Sequence, residues 1–346
     1  MTYVEFNGTN IKLKDKNYLD LGLLGVKNIK DVKGLPKLTQ IEHLDLSSNE
    51  IEKLECLDSL KSLRILNLGS NKINKIVGLK ELRNLEILHL ISNKITEING
   101  LDNLKNLKEL YLRGNAIKKV KGLEHLENLE KLDLSWNKIE NFEVLTNLSK
   151  LKTLWIAGNQ IKEIPSLEFD ELEILNLGGN QISQIKGLEK LSNLKELYLN
   201  NNLIERIEGL SNLKSLETLW LTDNKIFDLK GLEHLENLEI LNLKNNQIQN
   251  IAGFYNLKNL ESLYLSGNQI RHIKGLEALT QLETLDLNNN AIKVIKGLES
   301  LISLTSLWIK NNLIPENVIE DLGGLDPGGA AYEPKKWVQY CLVNLS

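Results

Sequence analysis

The sequence predicts an α/β fold in which one short unit, repeated thirteen times, stacks into a solenoid. Two observations predict it: an asparagine that recurs at nearly constant spacing, and an isoleucine two positions after each of these asparagines. The spacing is 22 residues except for one step of 21, from Asn159 to Asn180. The asparagines stand at positions 49, 71, 93, 115, 137, 159, 180, 202, 224, 246, 268, 290 and 312. So long a period indicates a repeat array and not two or three ordinary domains.

Each part of the unit predicts a structural element. Aliphatic residues stand three and five positions before each asparagine, as Leu154 and Ile156 do before Asn159. This alternation predicts a short strand with one buried face, and stacked units place such strands side by side in a parallel sheet. The asparagine carries a donor and an acceptor for the backbone that leaves the strand. A Gly-Leu pair usually follows, as at residues 78–79, and leucines three apart then predict a short 3₁₀ or α turn.

The complete unit is LxxLxLxxNxIxxIxGLxxLxx, and one copy alone cannot bury its leucines without its neighbours. We therefore predict a leucine-rich repeat solenoid, a right-handed horseshoe. Its parallel β-sheet is expected on the concave side and its short 3₁₀ or α turns on the convex side.

The two ends of the chain depart from the unit. Residues 1–35 are predicted to be an N-terminal cap, made of a hairpin that turns at Asn7-Gly8 and a degenerate repeat. Residues 36–321 hold about 13 units. Residues 322–346 are predicted to be a loop and a capping helix, with Trp337, Cys341 and Leu345 on one face. A binding motif is the alternative interpretation of that helix.

Composition limits the class of function. The formal net charge of −4 argues against a nucleic-acid partner, which would select clustered Lys and Arg. No apolar run approaches the roughly 18 residues that span a bilayer, and the first residues lack a signal-peptide pattern. Cys56 and Cys341 are the only cysteines, too few for a disulfide framework or a zinc site. We expect a cytoplasmic protein without a membrane partner.

Motifs of catalysis and cofactor binding are missing from the sequence. It contains no GxxxxGK[ST], HExxH or CxxC, and its five histidines are scattered. His43 and His89 fall on predicted strands about 10 Å apart, too far to share a metal. We expect no enzyme activity, no cofactor and no metal.

Function is expected where the repeats differ, on the outward positions of the strands. Four positions before each asparagine, six of the thirteen residues are Trp or Tyr, although the chain is 5% aromatic. Strand propensity is one explanation, but Val, Ile and Thr never occur in this column. A second explanation is duplication of a sequence block, as in the two copies of LKELYL, and a third is packing between neighbouring rings.

We favour a binding surface, because small polar residues lie between these rings and because Trp and Tyr dominate interfaces. Rings alternating with carboxylates suit a protein partner with a basic surface segment, through cation–π contact and charge pairing. The predicted partner-binding residues are Tyr111, Asp133, Trp155, Tyr198, Trp220, Asp223, Tyr264, Asp286 and Trp308.

A second column, seven positions before each asparagine, locates the docking site more closely. Its first eight residues alternate in sign, from Glu42 and Arg64 to Glu173 and Lys195, and predict ion pairs between neighbouring repeats. The next four are all acidic: Glu217, Glu239, Glu261 and Glu283. The C-terminal half of the concave face is therefore the predicted docking site.

The repeat is irregular between residues 140 and 172, where Val144-Leu145 replaces the Gly-Leu pair and Pro165 enters. We interpret this stretch as a harmless convex-side variation. Trp136, in the adjacent repeat, leaves a small local site as the alternative.

The unit and its 22-residue spacing resemble the leucine-rich repeat subclass typified by regulatory subunit 7 of protein phosphatase 1. The resemblance covers nearly the whole chain and implies a phosphatase bound on a concave face rich in aromatic and acidic residues. The C-terminal segment looks more like those of archaeal and bacterial repeat proteins, which implies a small GTPase as another partner. Bacterial internalins share the 22-residue unit, but their signal peptide and surface anchor have no counterpart in this sequence.

The sequence thus predicts a non-enzymatic, monomeric scaffold that binds a protein partner. The alternative is a structural or self-assembling repeat protein, whose aromatic column would meet another copy of itself.

Overall fold

The computed structural model describes residues 3–142, 145 and 148–344. Leu345 of the predicted helix face and Val144 of the irregular repeat lie outside these residues. The chain forms two compact units. The first unit holds Met1–Ile161 with Glu168–Leu172, and the second holds Lys162–Leu167 with Glu173–Ser346.

The first unit begins with an antiparallel hairpin. Its strands are β1 (Tyr3–Phe6) and β2 (Thr9–Lys12), joined through Asn7 and Gly8 at φ of 48° and 77°. Two left-handed residues are what a two-residue hairpin turn requires, and Asn-Gly supplies them at low cost. Two 3₁₀ turns follow β3, at Ile29–Asp31 and Leu35–Lys37. The parallel strands of this unit are β3 (Tyr18–Asp20), β4 (His43–Asp45), β5 (Ile65–Asn67), β6 (Ile87–His89), β7 (Glu109–Tyr111), β8 (Lys131–Asp133) and β9 (Thr153–Trp155).

Over its described residues, the second unit has seven parallel strands and two helices. Helix α1 (Glu316–Asp321) and helix α2 (Pro334–Val343) follow the last strand. The strands are β10 (Ile174–Asn176), β11 (Glu196–Tyr198), β12 (Thr218–Trp220), β13 (Ile240–Asn242), β14 (Ser262–Tyr264), β15 (Thr284–Asp286) and β16 (Ser306–Trp308).

Within each unit, the strands from β3 onward pair in parallel with the strand one repeat away, in an unshifted register. In the second unit Leu197 is opposite Leu219, and Leu219 is opposite Leu241. These middle residues are fully buried, so the first and third residues of each strand point outward. The predicted leucine-rich repeat solenoid with a parallel sheet is confirmed.

The recurring asparagine bonds to the backbone of its own repeat and of the preceding one. The Nδ2 group of Asn246 donates to the carbonyls of Leu221 and Leu243 at 2.9 and 3.1 Å. Its Oδ1 atom accepts a hydrogen bond from the amide of Ile226 at 2.9 Å. Asn246 is 7% exposed. The side chain therefore satisfies three buried backbone groups where regular pairing stops.

Short turns complete each repeat on the side away from the sheet. The amide of Leu60 donates to Leu57 and that of Leu63 donates to Leu60, at 2.9 and 3.1 Å. Bonds from residue i+3 to residue i are the 3₁₀ pattern, and leucines three apart produce it with all three side chains buried. Gly231 shows why glycine precedes these turns: its φ is +102°, and an added Cβ would lie 1.9 Å from the carbonyl oxygen of Ile207.

The last strand of the second unit has its free edge covered by the chain that follows. The amide of Ile309 donates to Gly329 at 3.0 Å, and that of Ala331 donates to Leu307 at 2.7 Å. Trp337 and Cys341 of α2 are 0% and 2% exposed, so that face of the helix is packed. Such coverage protects the unpaired backbone of an edge strand. No helix among the described residues has the length and apolar character needed to cross a membrane.

Candidate functional site

The candidate site lies on the outward side of the sheet in the second unit. The third residues of neighbouring strands are opposite one another, as in the pairs Tyr198–Trp220, Trp220–Asn242 and Asn242–Tyr264. Since parallel strands are about 4.8 Å apart, these side chains form one line. We call it the aromatic column: Tyr198, Trp220, Asn242, Tyr264, Asp286 and Trp308.

The two rings at the start of the column contact each other and differ in freedom. The ring centroids of Tyr198 and Trp220 are 5.8 Å apart, with the planes tilted by 57°. The hydroxyl of Tyr198 donates to Oε2 of Glu196 at 2.7 Å. Burial, and then this hydrogen bond, raise the pKa of Tyr198 to about 12. Tyr198 is thus held in place, whereas the side chain of Trp220 is 38% exposed.

The small polar members of the column have a structural role that the sequence analysis did not foresee. Asn242 and Asp286 are 7% and 5% exposed. Oδ1 of Asn242 accepts the amide of Lys244 at 3.2 Å, and Oδ1 of Asp286 accepts the amide of Asn288 at 3.1 Å. Each side chain closes the turn that ends its strand, as Asp and Asn do in Asx turns. They separate the rings, but they present little polar surface to a partner.

Asp133 of the first unit repeats this arrangement. It is 9% exposed, and its Oδ1 atom accepts the amide of Ser135 at 2.9 Å. We expected Asp133 and Asp286 to offer open carboxylates to a partner. In the structure both carboxylates are buried and accept a backbone hydrogen bond. The reason is that a short side chain on the last residue of a strand reaches the amide two residues further on.

Lys244 supplies a cation to this surface from the protein itself. Its ammonium nitrogen lies 2.7 Å from Oδ2 of Asp286 and 4.9 Å from the centroid of the Tyr264 ring. A carboxylate and an aromatic face thus hold one cation from the protein itself. Asp286 is consequently already neutralised. Sequence reasoning missed Lys244, although its position two before the asparagine also holds Lys310 in a later repeat.

Four glutamates beside the column remain without a cation. We call Glu217, Glu239, Glu261 and Glu283 the acidic row. The amide of each of the last three donates to the carbonyl of the one before it, at 2.8 to 2.9 Å, so they are direct neighbours across the sheet. Glu239, Glu261 and Glu283 are exposed and Glu217 is half-buried. Within the described part of the chain, none of the four carboxylates has an ion pair.

The same positions in other repeats are paired, as their alternating signs predicted. In the second unit, Nζ of Lys195 lies 3.1 Å from Oε2 of Glu173. In the first unit, Arg64 and Lys108 lie 2.7 and 3.1 Å from the carboxylate of Glu86. Where charges alternate, the sheet compensates them itself. Along the acidic row it does not, and like charges on neighbouring strands repel.

Asp223 lies on the other flank of the aromatic column. It follows Trp220 by three residues, whereas Glu217 precedes Trp220 by three. Asp223 has φ of 55°, is exposed, and accepts a hydrogen bond from Nδ2 of Asn245 at 2.8 Å. Acidic residues thus lie on both sides of Trp220 along the chain, but Asp223 is not part of the acidic row.

The remaining predicted residues are less accessible or belong to the first unit. Trp308 is half-buried, and the bridge from its strand to Ala330 covers that edge. In the first unit Tyr111 stacks on His89, with centroids 4.6 Å apart, and its hydroxyl donates to Glu109 at 2.6 Å. Trp155 is half-buried at the end of β9.

The first unit also holds a shallow cavity that the sequence analysis did not identify. Tyr18 stacks on His43 with centroids 4.2 Å apart. Both rings line a cavity of about 400 Å³ together with Glu42, Arg64 and Glu86. Only the alignment of β3 with β4 reveals this stack, because the degenerate repeat hides the register of Tyr18.

Comparison with known proteins identifies the class to which the chain belongs. A family model for Leucine Rich repeats (2 copies) matches residues 105–147, 149–190, 192–234, 236–278 and 280–327. A second model, for Leucine rich repeat, matches residues 31–73. The chain therefore belongs to the leucine-rich repeat family. No curated protein matches the chain.

Among solved structures, the chain is similar to an internalin (inlF) from Listeria monocytogenes, at 29% identity and a TM-score of 0.75. The match covers 87% of this chain and 89% of the internalin. It is also similar to the Leptospira interrogans leucine-rich repeat protein LIC12759, at 27% identity and a TM-score of 0.71, over 88% of this chain and 93% of that one. The subclass typified by regulatory subunit 7 of protein phosphatase 1 stays a prediction.

A plant peptide hormone receptor, RGFR1 in complex with RGF2, has a TM-score of 0.67 to this chain at 21% identity. The match covers 91% of this chain and 57% of the receptor. At that identity the likeness concerns the fold alone.

Proposed function

We propose that this protein is a non-enzymatic scaffold that binds a protein partner on the outward face of its sheet. Leucine-rich repeat proteins commonly serve as protein-interaction scaffolds, since a stack of repeats offers an extended surface. The observation that carries the proposal is the exposed ring of Trp220 beside an acidic row without cations. Tryptophan is enriched among the interface residues that contribute most to binding, and these residues cluster near the centre of interfaces.

The proposed binding residues are those the sequence singled out, with unequal roles. Trp220 is the central contact, Tyr198 supports it, and Tyr264 and Trp308 extend the surface. Asp223 contributes charge on one flank and the acidic row on the other. Asp133 and Asp286 act indirectly, by fixing the strand ends beside the rings. In the first unit, Tyr111 and Trp155 would contact an additional segment of the partner.

The proposed partner has a basic surface segment, because the acidic row leaves four carboxylates to be neutralised. A protein phosphatase and a small GTPase are the first two partner classes to assay, as the resemblance in sequence implies. We further propose a monomeric, cytoplasmic protein. The unbridged thiols of Cys56 and Cys341 support a reducing compartment.

The test is capture of partners from a lysate of the source organism by the wild-type protein and by the triple variant Trp155→Ser/Trp220→Ser/Trp308→Ser. A matched control is Trp136→Ser, because Trp136 is 60% exposed but lies outside the aromatic column. Circular dichroism verifies that each variant is folded. The proposal expects a specific protein that the wild type and the control retain and the triple variant loses. A folded triple variant that retains every partner would overturn it.

Self-assembly through the same face is the competing explanation. Sedimentation velocity across a hundredfold concentration range separates the two. A strict monomer excludes self-assembly. A dimer that the triple variant abolishes would instead show that this outward face of the sheet meets a second copy.

A further inference from the structure

We infer that the segment bound by the second unit is an α-helix with a basic stripe next to an apolar stripe, lying across the strands along the acidic row. The inference rests on the proposed function and adds the conformation and chemistry of the partner. Four features of the second unit lead to it.

The first feature is the length of the acidic row. Glu217 and Glu283 are three strand spacings apart, about 14 Å at about 4.8 Å per spacing. A helix rises about 1.5 Å per residue, so basic residues at i, i+3, i+7 and i+10 span about 15 Å. Four cations on one helix face therefore meet four carboxylates nearly one to one. An extended segment rises about 3.3 Å per residue, so its same-side residues are about 6.6 Å apart and only three fit that length.

The second feature is the distance between the acidic row and the aromatic column. Glu217 and Trp220 are three residues apart along an extended strand, which places their backbones about 10 Å from each other. A helix with its side chains is about 10 to 12 Å in diameter. One helix can therefore face the row with its basic stripe and Trp220 with a neighbouring apolar stripe.

The third feature is the cation that the protein already holds. Lys244 places its ammonium 4.9 Å from the Tyr264 ring and 2.7 Å from the Asp286 carboxylate. This contact, two strands away from Trp220, shows a lysine ammonium accepted between a ring and a carboxylate on this face. Trp220 has no such cation within the described residues. A partner lysine or arginine would find the same two kinds of group, an aromatic ring and carboxylates, at Trp220 and the acidic row.

The fourth feature is the small size of the residue after Trp220 in the column. Asn242 is 7% exposed and lies between Trp220 and Tyr264 in register. Its short side chain is turned to the amide of Lys244, so no third ring stands between Trp220 and Tyr264. An apolar side chain of the helix would therefore contact the exposed ring of Trp220.

The experiment measures binding of synthetic peptides to the full-length protein by fluorescence anisotropy. The probe is a 15-residue peptide, stapled as a helix, with lysine at i, i+3, i+7 and i+10 and leucine along the adjacent stripe. The control has the same composition with the lysines scrambled around the helix. We expect the patterned peptide to bind at least about tenfold more tightly at low salt. We also expect the difference to shrink at high salt, where charges are screened.

Two protein variants locate the binding. The first replaces the acidic row with glutamine: Glu217→Gln, Glu239→Gln, Glu261→Gln and Glu283→Gln. The second removes the same charge from exposed glutamates elsewhere in the second unit: Glu205→Gln, Glu208→Gln, Glu236→Gln and Glu320→Gln. We expect the first to weaken the patterned peptide at least about tenfold and the second to change it less than twofold.

Three results would overturn the inference: equal affinity for patterned and scrambled helices, no binding of either, or equal loss in both glutamine variants. Tighter binding of an unstapled, proline-interrupted peptide with the same lysines would also overturn it, in favour of an extended segment. These outcomes are distinguishable from failure of the proposed function. If binding of a captured partner depends on Trp220 but not on the acidic row, the proposed scaffold function stands and the inference of a bound basic helix is wrong.

Discussion

Replacing one internal asparagine should cost the second unit a large part of its stability. Asn246→Ala removes the acceptor of the Ile226 amide and the donor to the carbonyls of Leu221 and Leu243. These backbone groups are buried, and the methyl group of alanine cannot replace the lost hydrogen bonds. A buried polar group left without a partner costs about 1 to 3 kcal/mol. The amide loses its only partner and the carbonyls lose one each, so we expect a loss of about 2 to 4 kcal/mol in the free energy of unfolding.

The assay is urea denaturation followed by circular dichroism, with the midpoint compared at constant slope. The matched control is Asn250→Ala in the same repeat, since Asn250 is exposed and outside the ladder. We expect the control to change stability by less than about 0.5 kcal/mol. An Asn246→Ala variant as stable as the control would refute the assignment of the asparagine as the group that satisfies the backbone.

Three further predictions concern single residues. Gly231→Ala should destabilise the protein by at least about 2 kcal/mol, because φ is +102° and the new Cβ would meet the Ile207 carbonyl. Thermal unfolding measures this loss, and an unchanged midpoint would contradict the turn geometry. The phenol of Tyr198 should ionise near pH 12, so its stabilising contribution is complete below pH 10 and is lost as pH rises through about 12. Absorbance at 295 nm measures the ionisation, and identical titration curves near pH 12 for the wild type and Tyr198→Phe would rule it out. Burial lowers the pKa of His89, so the stability contributed by the neutral imidazole is present above the unfolded pKa of about 6.5 and is lost as pH falls through the folded pKa. His89→Gln should therefore lose less stability between pH 7 and pH 5 than the wild type, and equal losses in both proteins would be evidence against this role of His89.

Most of the fold could be predicted because the repeat ties local sequence to position in the sheet. One strand per 22 residues, with the same leucines buried each time, determines which side chains are neighbours. The alignment of Tyr198 with Trp220 follows from counting alone. Helix α1 was not predicted, since six residues show no period and none is buried.

The details of the site depended on side-chain geometry that spacing does not contain. Counting placed Asp286 among the outward residues, but its short side chain turns to the amide of Asn288 and to the ammonium of Lys244. Counting residues from the asparagine does separate Asp223 from the acidic row, but it could not show that the Asp223 carboxylate accepts a hydrogen bond from Asn245. The structure does contain an exposed ring, that of Trp220, beside the acidic row, whose carboxylates have no ion pair among the described residues.

The most direct test is the affinity of the purified, captured partner for the wild-type protein, for Trp220→Ser and for Trp136→Ser. Both tryptophans are exposed, but only Trp220 lies in the aromatic column beside the acidic row. We predict that Trp220→Ser weakens binding at least about tenfold, as loss of a central interface tryptophan does, and that Trp136→Ser changes it less than twofold. Equal affinities of all three proteins would contradict binding on the sheet face of the second unit.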